Sequence, residues 1–419
     1  MSQIIVHGGK RLDGEIVIKG AKNAALPIIS ASILTDEPVV IHNCPKIIDV
    51  FYMIEILRAV GCKASWEDNN LFIECKEANN HIMPPNLSKK IRSSIFMLGS
   101  MVGRVHKAVF TFPGGCEIGA RPIDLHLKAL RQLGIEIEED QGMISCQCGR
   151  MQGSAIHLDY PSVGATENIM LAAVKAKGTT VITNAAREPE IVDLENFVNQ
   201  MGGKISGAGS STIVIEGVEE LHGCEYSCIP DRIIAGTYMV GAAVTRGELL
   251  LKGVQYEHVS AFSDILSRAG AEIVSVDNGL KIKVRDQLKE LDIVETAPYP
   301  GFPTDMQPQM CIAACFAKGT SVIIENVFES RFRHIGELMK MGGNIKVKSN
   351  MAIIKGVPKL VGCDVAAYDL RGGAALCLAG LGAQGDTVIH NADVIYRGYE
   401  DIVKDLQSVG AQIVRIEEQ

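Results

Sequence analysis

Nearly unbroken apolar stretches alternate along this chain with short β-branched runs and amphipathic stretches, and the alternation recurs six times. Each repeat ends its amphipathic, helix-like stretch on a glycine just before a strand-like run: Gly61, Gly134, Gly202, Gly270, Gly342 and Gly410. The gaps of 73, 68, 68, 72 and 68 residues are the even period of a repeat architecture. Within a repeat, a strand leads into an apolar helix. A short strand such as Val39-Val40-Ile41 or Thr180-Val181-Ile182 follows. A second helix and a two-stranded hairpin complete the unit. The pattern predicts β-α-β-α-β-β in each repeat, the first unit running from about Gly14 to Cys75. First helices apolar nearly all round, as in KGAKNAALPIISASIL, predict burial; second helices with one apolar face, as near Asp49 to Val60, predict a half-exposed position. Helices interleaved with strands make the fold class α/β.

At 419 residues the chain is long enough for two or three domains, each with a core. Six repeats divide most simply into two groups of three, with a junction near Gly217 to Cys228. Apolar residues at 47% and charged residues at 21% describe an ordinary globular protein. A net charge of −8 argues against nucleic-acid or anionic-membrane partners, which require a basic surface. No run approaches the roughly 18 apolar residues of a membrane span, and the opening MSQIIVHGGKRLDG lacks the features of a secretory signal. Twelve cysteines then read as reduced thiols in the cytoplasm.

The repeat register locates the chemistry. The first helices open with Lys22-Asn23, Arg92, Ser162, Arg232, Asp305 and Arg371, 37 to 42 residues before the closing glycine. The second helices open with Asp49, Arg121, Glu190, His258, Arg331 and Arg397, 11 to 13 residues before it. Helix N-termini already attract anions. Arginine there has the wrong sign for capping, so its recurrence predicts a cationic pocket for a strongly anionic ligand held between two lobes. Asp305 is the single carboxylate among the first-helix openers, which makes it a candidate base.

Cys116 is the second candidate. It lies in Pro113-Gly114-Gly115-Cys116, and three glycines within six positions predict a loop of wide conformational freedom. Arg121 beside it lowers a thiol pKa. Cys311 and Cys315, at helical spacing, read as core. Neither Cys146-Gln147-Cys148 nor Cys224 with Cys228 has zinc-ligand spacing, so no metal is expected. Gly380-Leu381-Gly382-Ala383-Gln384-Gly385 matches a dinucleotide motif only literally. It follows a helix and precedes a strand, so it is read as a turn.

The strings KGAKNAALP, FPGGCEIGARPIDLH, PSVGAT, NAAREPEIVD, PDRIIAGT, FPTDMQPQ and HNADVIYRGYED closely resemble the bacterial UDP-N-acetylglucosamine enolpyruvyl transferases (UDP-N-acetylglucosamine 1-carboxyvinyltransferases) of the EPSP synthase superfamily. The resemblance covers the whole chain. It implies two similar domains, each of three repeats around buried helices, an inside-out α/β barrel with the active site in the interdomain cleft. The implied lobes are 21–228 and 1–20 plus 229–419.

The implied reaction transfers the enolpyruvyl group of phosphoenolpyruvate to the 3-hydroxyl of UDP-N-acetylglucosamine and releases phosphate. This is the first committed step of peptidoglycan synthesis. It needs no metal or cofactor and is expected in a cytoplasmic monomer. By matching motif, Cys116 donates a proton to the methylene carbon and can form an adduct with phosphoenolpyruvate, while Asp305 faces the sugar hydroxyl. Lys22, a third catalytic residue by the same match, surrounds phosphoenolpyruvate together with Asn23, Arg92, Arg121, Arg331, Arg371 and Arg397. Asn23, Arg92, Arg121, Pro122, Ile123, Asp124, Leu125, Ser162, Val163, Gly164, Asp305 and Val327 line the nucleotide-sugar site. The chain departs from some members at Tyr160, where they carry Lys, and at the Arg371-Gly372-Gly373 run. Enolpyruvylshikimate-phosphate synthases share the donor but have Lys-Ser in place of Lys22-Asn23 and lack the PGGC loop. A non-catalytic anion-binding repeat protein would leave Cys116 and Asp305 unexplained.

Overall fold

The structure, a computed structural model, describes residues 2–114, 118–119 and 122–417. These form two compact units. One holds 19–114 and 122–229, the other 2–18, 118–119 and 230–417. They are called the first and second lobes below.

In each lobe the apolar first helices form the interior. Lys22–Ala31, Phe96–Val105 and Val163–Ala173 do so in the first lobe; Arg232–Thr245, Gln307–Phe316 and Leu370–Gly382 do so in the second. From Ala165 to Ala173 and from Arg371 to Leu381 every residue is buried, polar ones included. Each Leu or Ile sealed in this way contributes about 1.5–3 kcal/mol. Close approach requires small residues. A Cβ on Gly99 would collide with the backbone carbonyl of Asn168, and Asn168 Oδ1 accepts from Gly99 N at 2.8 Å. The second helices, such as Ile48–Ala59 and Tyr256–Arg268, keep one face exposed.

Four-stranded sheets flank these helices, each pairing a leading strand parallel to the next strand and finishing with an antiparallel hairpin. Buried and half-exposed residues alternate along Thr179–Thr183 and Thr320–Ile324, as expected of sheets with one covered face. All six closing glycines have positive φ, from 86° to 111°. This left-handed stop ends a helix and turns the chain into the hairpin.

The repeats are less uniform than the sequence suggests, and in three places the structure corrects it. The strand Asp13–Val17, expected to lead the first repeat, pairs with Glu248–Lys252 of the fourth. The first repeat instead takes Glu225–Ser227 alongside Val39–His42. The two leading strands are exchanged because the chain changes lobe at residues 18–19 and 229–230. The second repeat has a three-stranded sheet, with a single bridge, Ile82 to Val109, in place of a leading strand. The sixth borrows Ser2–His7, which lies between Asp386–His390 and Gln412–Glu417.

The cysteines also depart from expectation. Cys62 and Cys75 form a disulfide with their Cα atoms 4.2 Å apart. The hairpin register pairs Lys63 with Glu74, so the next facing pair is Cys62 and Cys75, at the short separation of directly opposed strand residues. The other nine described cysteines are free. The literal dinucleotide motif is a turn: the helix ends at Gly382, Gly385 has φ 86°, and the strand begins at Asp386.

Candidate active site

In the second lobe the openers of the fifth and sixth repeats converge. Asp305 sits in the 3₁₀ turn Thr304–Met306 that precedes Gln307–Phe316. Its Oδ1 accepts from Arg331 Nη2 at 2.7 Å and its Oδ2 from Arg371 Nε at 3.2 Å. Both arginine side chains are 2% exposed, against 28% for Asp305. The cations are therefore sealed while the carboxylate keeps an open side. Arg371 follows the N-cap Asp369, whose Oδ1 accepts from the backbone N–H groups of Arg371 and Gly372 at 3.0 Å. Arg232 follows the N-cap Asp231 in the same way. An acid at the cap meets the helix dipole, which leaves the arginine side chain available for another task.

Glu325 shapes the surrounding backbone. Its Oε1 accepts from Val327 N at 2.8 Å and Phe328 N at 3.1 Å, and its Oε2 accepts from Thr304 Oγ1 at 2.9 Å. One buried carboxylate thus fixes the Val327 turn and the residue before Asp305. Arg397 corrects the register reading. It ends the 3₁₀ turn Ala392–Arg397 instead of opening a helix, and the helix proper starts at Ile402. The next residue, Gly398, lies against Arg371; a Cβ there would come within 3.5 Å of Arg371 Nη1. At Gly373 a Cβ would meet Ile395 at 2.7 Å and Ala367 at 2.8 Å, so the second glycine of the Arg371-Gly372-Gly373 run serves close packing.

In the first lobe, Lys22 Nζ lies 2.7 Å from Asp49 Oδ2, with both side chains largely buried. Asn23 beside it is exposed. Arg92, in the turn Arg92–Ile95, donates from Nη1 to the carbonyl of Pro113 at 3.3 Å, three positions before Cys116 in the chain. The helix bearing Asp49 packs against that same turn. Ser162 caps Val163–Ala173 by accepting from Ala165 N at 3.3 Å. Gly164 lies against the His126 ring, whose Cε1 would be 3.0 Å from a Cβ there. Ile123 is buried, Leu125 half-buried, and Pro122 and Asp124 exposed.

Sequence reasoning missed His126. It is 6% exposed and lies 2.9 Å from Asn168 Nδ2, which also donates to the carbonyl of Ile95. It thereby joins the Arg92 turn, the Asp124–Gln132 helix and the Ser162 cap. The FPGGCEIGARPIDLH string ends on it, and that was the available signal. Cys116 and Arg121 lie outside the described residues. Burial raises eight of the other thiols, pushing Cys315 and Cys377 to about 12 and Cys224 to about 11. Thiols with so little thiolate are poor nucleophiles.

Two buried guanidiniums thus hold one half-open aspartate in the second lobe. The family model of EPSP synthase (3-phosphoshikimate 1-carboxyvinyltransferase) matches residues 6–406. The chain is 52% identical to UDP-N-acetylglucosamine 1-carboxyvinyltransferase 2 of Caldanaerobacter subterraneus subsp. tengcongensis, over 99% of this chain and 100% of that one. It is 48% identical to the UDP-N-acetylglucosamine 1-carboxyvinyltransferase of Thermotoga maritima, over the full length of both. The enolpyruvyl transferase NikO from Streptomyces tendae superposes with a TM-score of 0.88 at 26% identity, covering 99% of this chain and 98% of that one. The EPSP synthase of Acinetobacter baumannii, at 20% identity and full coverage of both, shares the fold with a TM-score of 0.76. The chain belongs to the EPSP synthase family, within its UDP-N-acetylglucosamine 1-carboxyvinyltransferase branch.

Proposed function

We propose that this protein transfers the enolpyruvyl group of phosphoenolpyruvate to the 3-hydroxyl of UDP-N-acetylglucosamine with release of phosphate, in peptidoglycan synthesis. The observation that carries the reading is Asp305 on two sealed arginines, in a chain about half identical to enzymes of that name. Addition forms a bond from the 3-hydroxyl oxygen to C2 of phosphoenolpyruvate. The hydroxyl proton passes to Asp305, and Cys116 gives a proton to the methylene carbon, which becomes a methyl group. Elimination then breaks the C2–O bond to phosphate, and loss of a methyl proton restores the double bond. Both steps need an acid, a base and fixed positive charge near a multiply charged anion.

In this reading Lys22, Asn23, Arg92 and Arg121 of the first lobe act with Arg331, Arg371 and Arg397 of the second on one reacting pair. Pro122 to Leu125, Ser162, Val163, Gly164 and Val327 hold the nucleotide sugar. No helix among the described residues is long and apolar enough to cross a membrane. With nine free cysteines against one disulfide and the family resemblance, we read it as a cytoplasmic enzyme, working as a monomer.

Mixing both substrates with the protein should release inorganic phosphate, and either substrate alone should not. Cys116→Ala should abolish release while retaining nucleotide-sugar binding, and Cys116→Asp, which also carries a transferable proton, should retain activity. Full turnover by the alanine variant would remove Cys116 from the mechanism.

A further inference from the structure

Behind Arg371 lies a buried hydroxyl network that the reaction as derived leaves unused. The Arg371 Cζ is 5.4 Å from the centroid of the Tyr399 ring, within the range where a guanidinium is attracted to an aromatic face. Tyr399 is 1% exposed. Its Oη lies 2.8 Å from Thr237 Oγ1. Thr237 spends its single proton on the carbonyl of Ile233 at 2.8 Å, so the tyrosine must be the donor. Gln309 Nε2 donates to Thr237 Oγ1 at 3.1 Å and approaches Tyr399 Oη at 3.4 Å. Thr237 and Gln309 are both fully buried.

The placement is specific. Thr237 belongs to the core helix Arg232–Thr245, Gln309 to Gln307–Phe316 and Arg371 to Leu370–Gly382. The three core helices of the second lobe therefore meet at one tyrosine. Gly398 allows this: a Cβ there would collide with Leu370 Cδ1. Arg371 Nη1 has no hydrogen-bond partner among the described residues, but the guanidinium also donates to the Tyr399 hydroxyl. The Asp305 pair, that hydrogen bond and the aromatic ring together hold the guanidinium plane in orientation. A tyrosine kept only to fill the core needs no cation across its face.

We infer that Tyr399 is a positioning residue for the transfer reaction, a buried support under Arg371 that fixes where the Asp305 carboxylate points. The inference rests on the reading of Asp305 as the group that faces the sugar hydroxyl. Removal of the ring frees the guanidinium to rotate and carries the carboxylate with it. A displacement near 1 Å at a reacting group costs up to about 10²-fold in rate. Nucleotide-sugar binding, spread over many residues, is left nearly intact.

The test compares Tyr399→Leu, Tyr399→Phe and Thr237→Val, each alone and combined with Asp305→Asn. Turnover, both KM values and thermal unfolding are read for every variant. Tyr399→Leu should lower kcat about tenfold or more with the nucleotide-sugar KM within about twofold. Tyr399→Phe, which keeps the ring but loses the hydroxyl bonded to Arg371, should fall between Tyr399→Leu and wild type, and Thr237→Val, which keeps that bond, should stay within about threefold of wild type. In the Asp305→Asn background none of the three should lower kcat further. Where Tyr399→Leu does not fold, Tyr399→Phe, which removes the hydroxyl bonded to Arg371, carries the same comparison at smaller amplitude, and a wild-type kcat for it overturns the inference. A wild-type kcat for Tyr399→Leu overturns the inference, as does the same proportional loss with and without Asp305→Asn. Unchanged turnover in Asp305→Asn alone removes the base reading and this inference with it.

Discussion

In the second lobe a carboxylate, Asp305, is gripped by guanidinium groups, whereas in the first an ammonium, Lys22, is gripped by a carboxylate, Asp49. The two pairs occupy the same places in their repeats. Lys22 and Asp49 open the first and second helices of the first repeat, 39 and 12 residues before Gly61. Asp305 and Arg331 stand in the corresponding places of the fifth, 37 and 11 residues before Gly342. Repeat geometry therefore brings the two openers together, and the signs are free to be exchanged. What separates the lobes is the third charge. Arg371 gives the Asp305 cluster a surplus cation, while Lys22 and Asp49 cancel. One arrangement suits an acid–base group held inside a positive field, the other a cation whose position is set by its partner.

Neutralising the carboxylate in the second lobe is the strongest way to test this contrast. Asp305→Asn should cut turnover by about 10²-fold or more, the usual scale for a positioned proton-transfer group. It should also lower stability by about 3 kcal/mol, because two buried guanidiniums lose their counter-charge. Steady-state turnover and denaturant unfolding measure the two effects separately. Unchanged turnover in a destabilised protein would make Asp305 a structural partner only.

The surplus positive charge predicts the next effect. Arg397→Ala should weaken phosphoenolpyruvate by about 10- to 100-fold, the value of one charge-assisted contact, and the nucleotide sugar far less. Equal losses for both ligands would contradict the assignment. Asp49→Asn tests the other side of the contrast. Removing a negative charge strengthens the local positive field but releases Lys22 from its position. We expect position to dominate, with phosphoenolpyruvate bound about tenfold more weakly. Tighter binding would show that Asp49 merely neutralises Lys22.

Much of this was legible in the chain because the repeat is legible. The closing glycines fix a register, and the register alone marks Lys22, Asp49, Asp305, Arg331 and Arg371. Non-local facts escaped it. The exchange of Asp13–Val17 and Glu225–Ser227 depends on pairing across 235 and 185 residues, and neither segment differs in pattern from an ordinary leading strand. Arg397 was placed at a helix start because a 3₁₀ turn and a short helix share one apolar rhythm over so few residues. His126 and Tyr399 act by supporting other residues, and nothing in local spacing marks a side chain whose partners lie on other repeats. The disulfide was readable in principle, since Cys62 and Cys75 flank the hairpin symmetrically, but the expected compartment argued against it.

The last predicted effect leaves turnover aside and concerns stability against pH, where the lobes again have opposite signs. In the first lobe, burial pushes the Asp193 carboxyl up to about 6, although Tyr226 Oη donates to it at 2.5 Å and Ile229 N at 3.3 Å. Between about 4 and 6 the folded chain keeps a proton that the unfolded chain has released. The stability this group contributes is present at low pH and lost as pH rises through that window. In the second lobe, burial holds the His334 imidazole down at about 4, with Asp369 opposing and Arg331 reinforcing the shift. There the unfolded chain binds the proton, so stability is present above the ordinary histidine range and lost as pH falls toward 4. Each contribution is about 3 kcal/mol, and in the wild type the two largely cancel. Asp193→Asn removes only the falling contribution. Its stability relative to wild type should therefore climb by about 3 kcal/mol between pH 4 and 6.5. His334→Gln should show the reverse slope. Urea unfolding at pH 4.5, 5.5 and 6.5 reads both. Parallel curves for wild type and Asp193→Asn would mean that Asp193 is ionised in the folded lobe throughout, its two hydrogen bonds outweighing its burial.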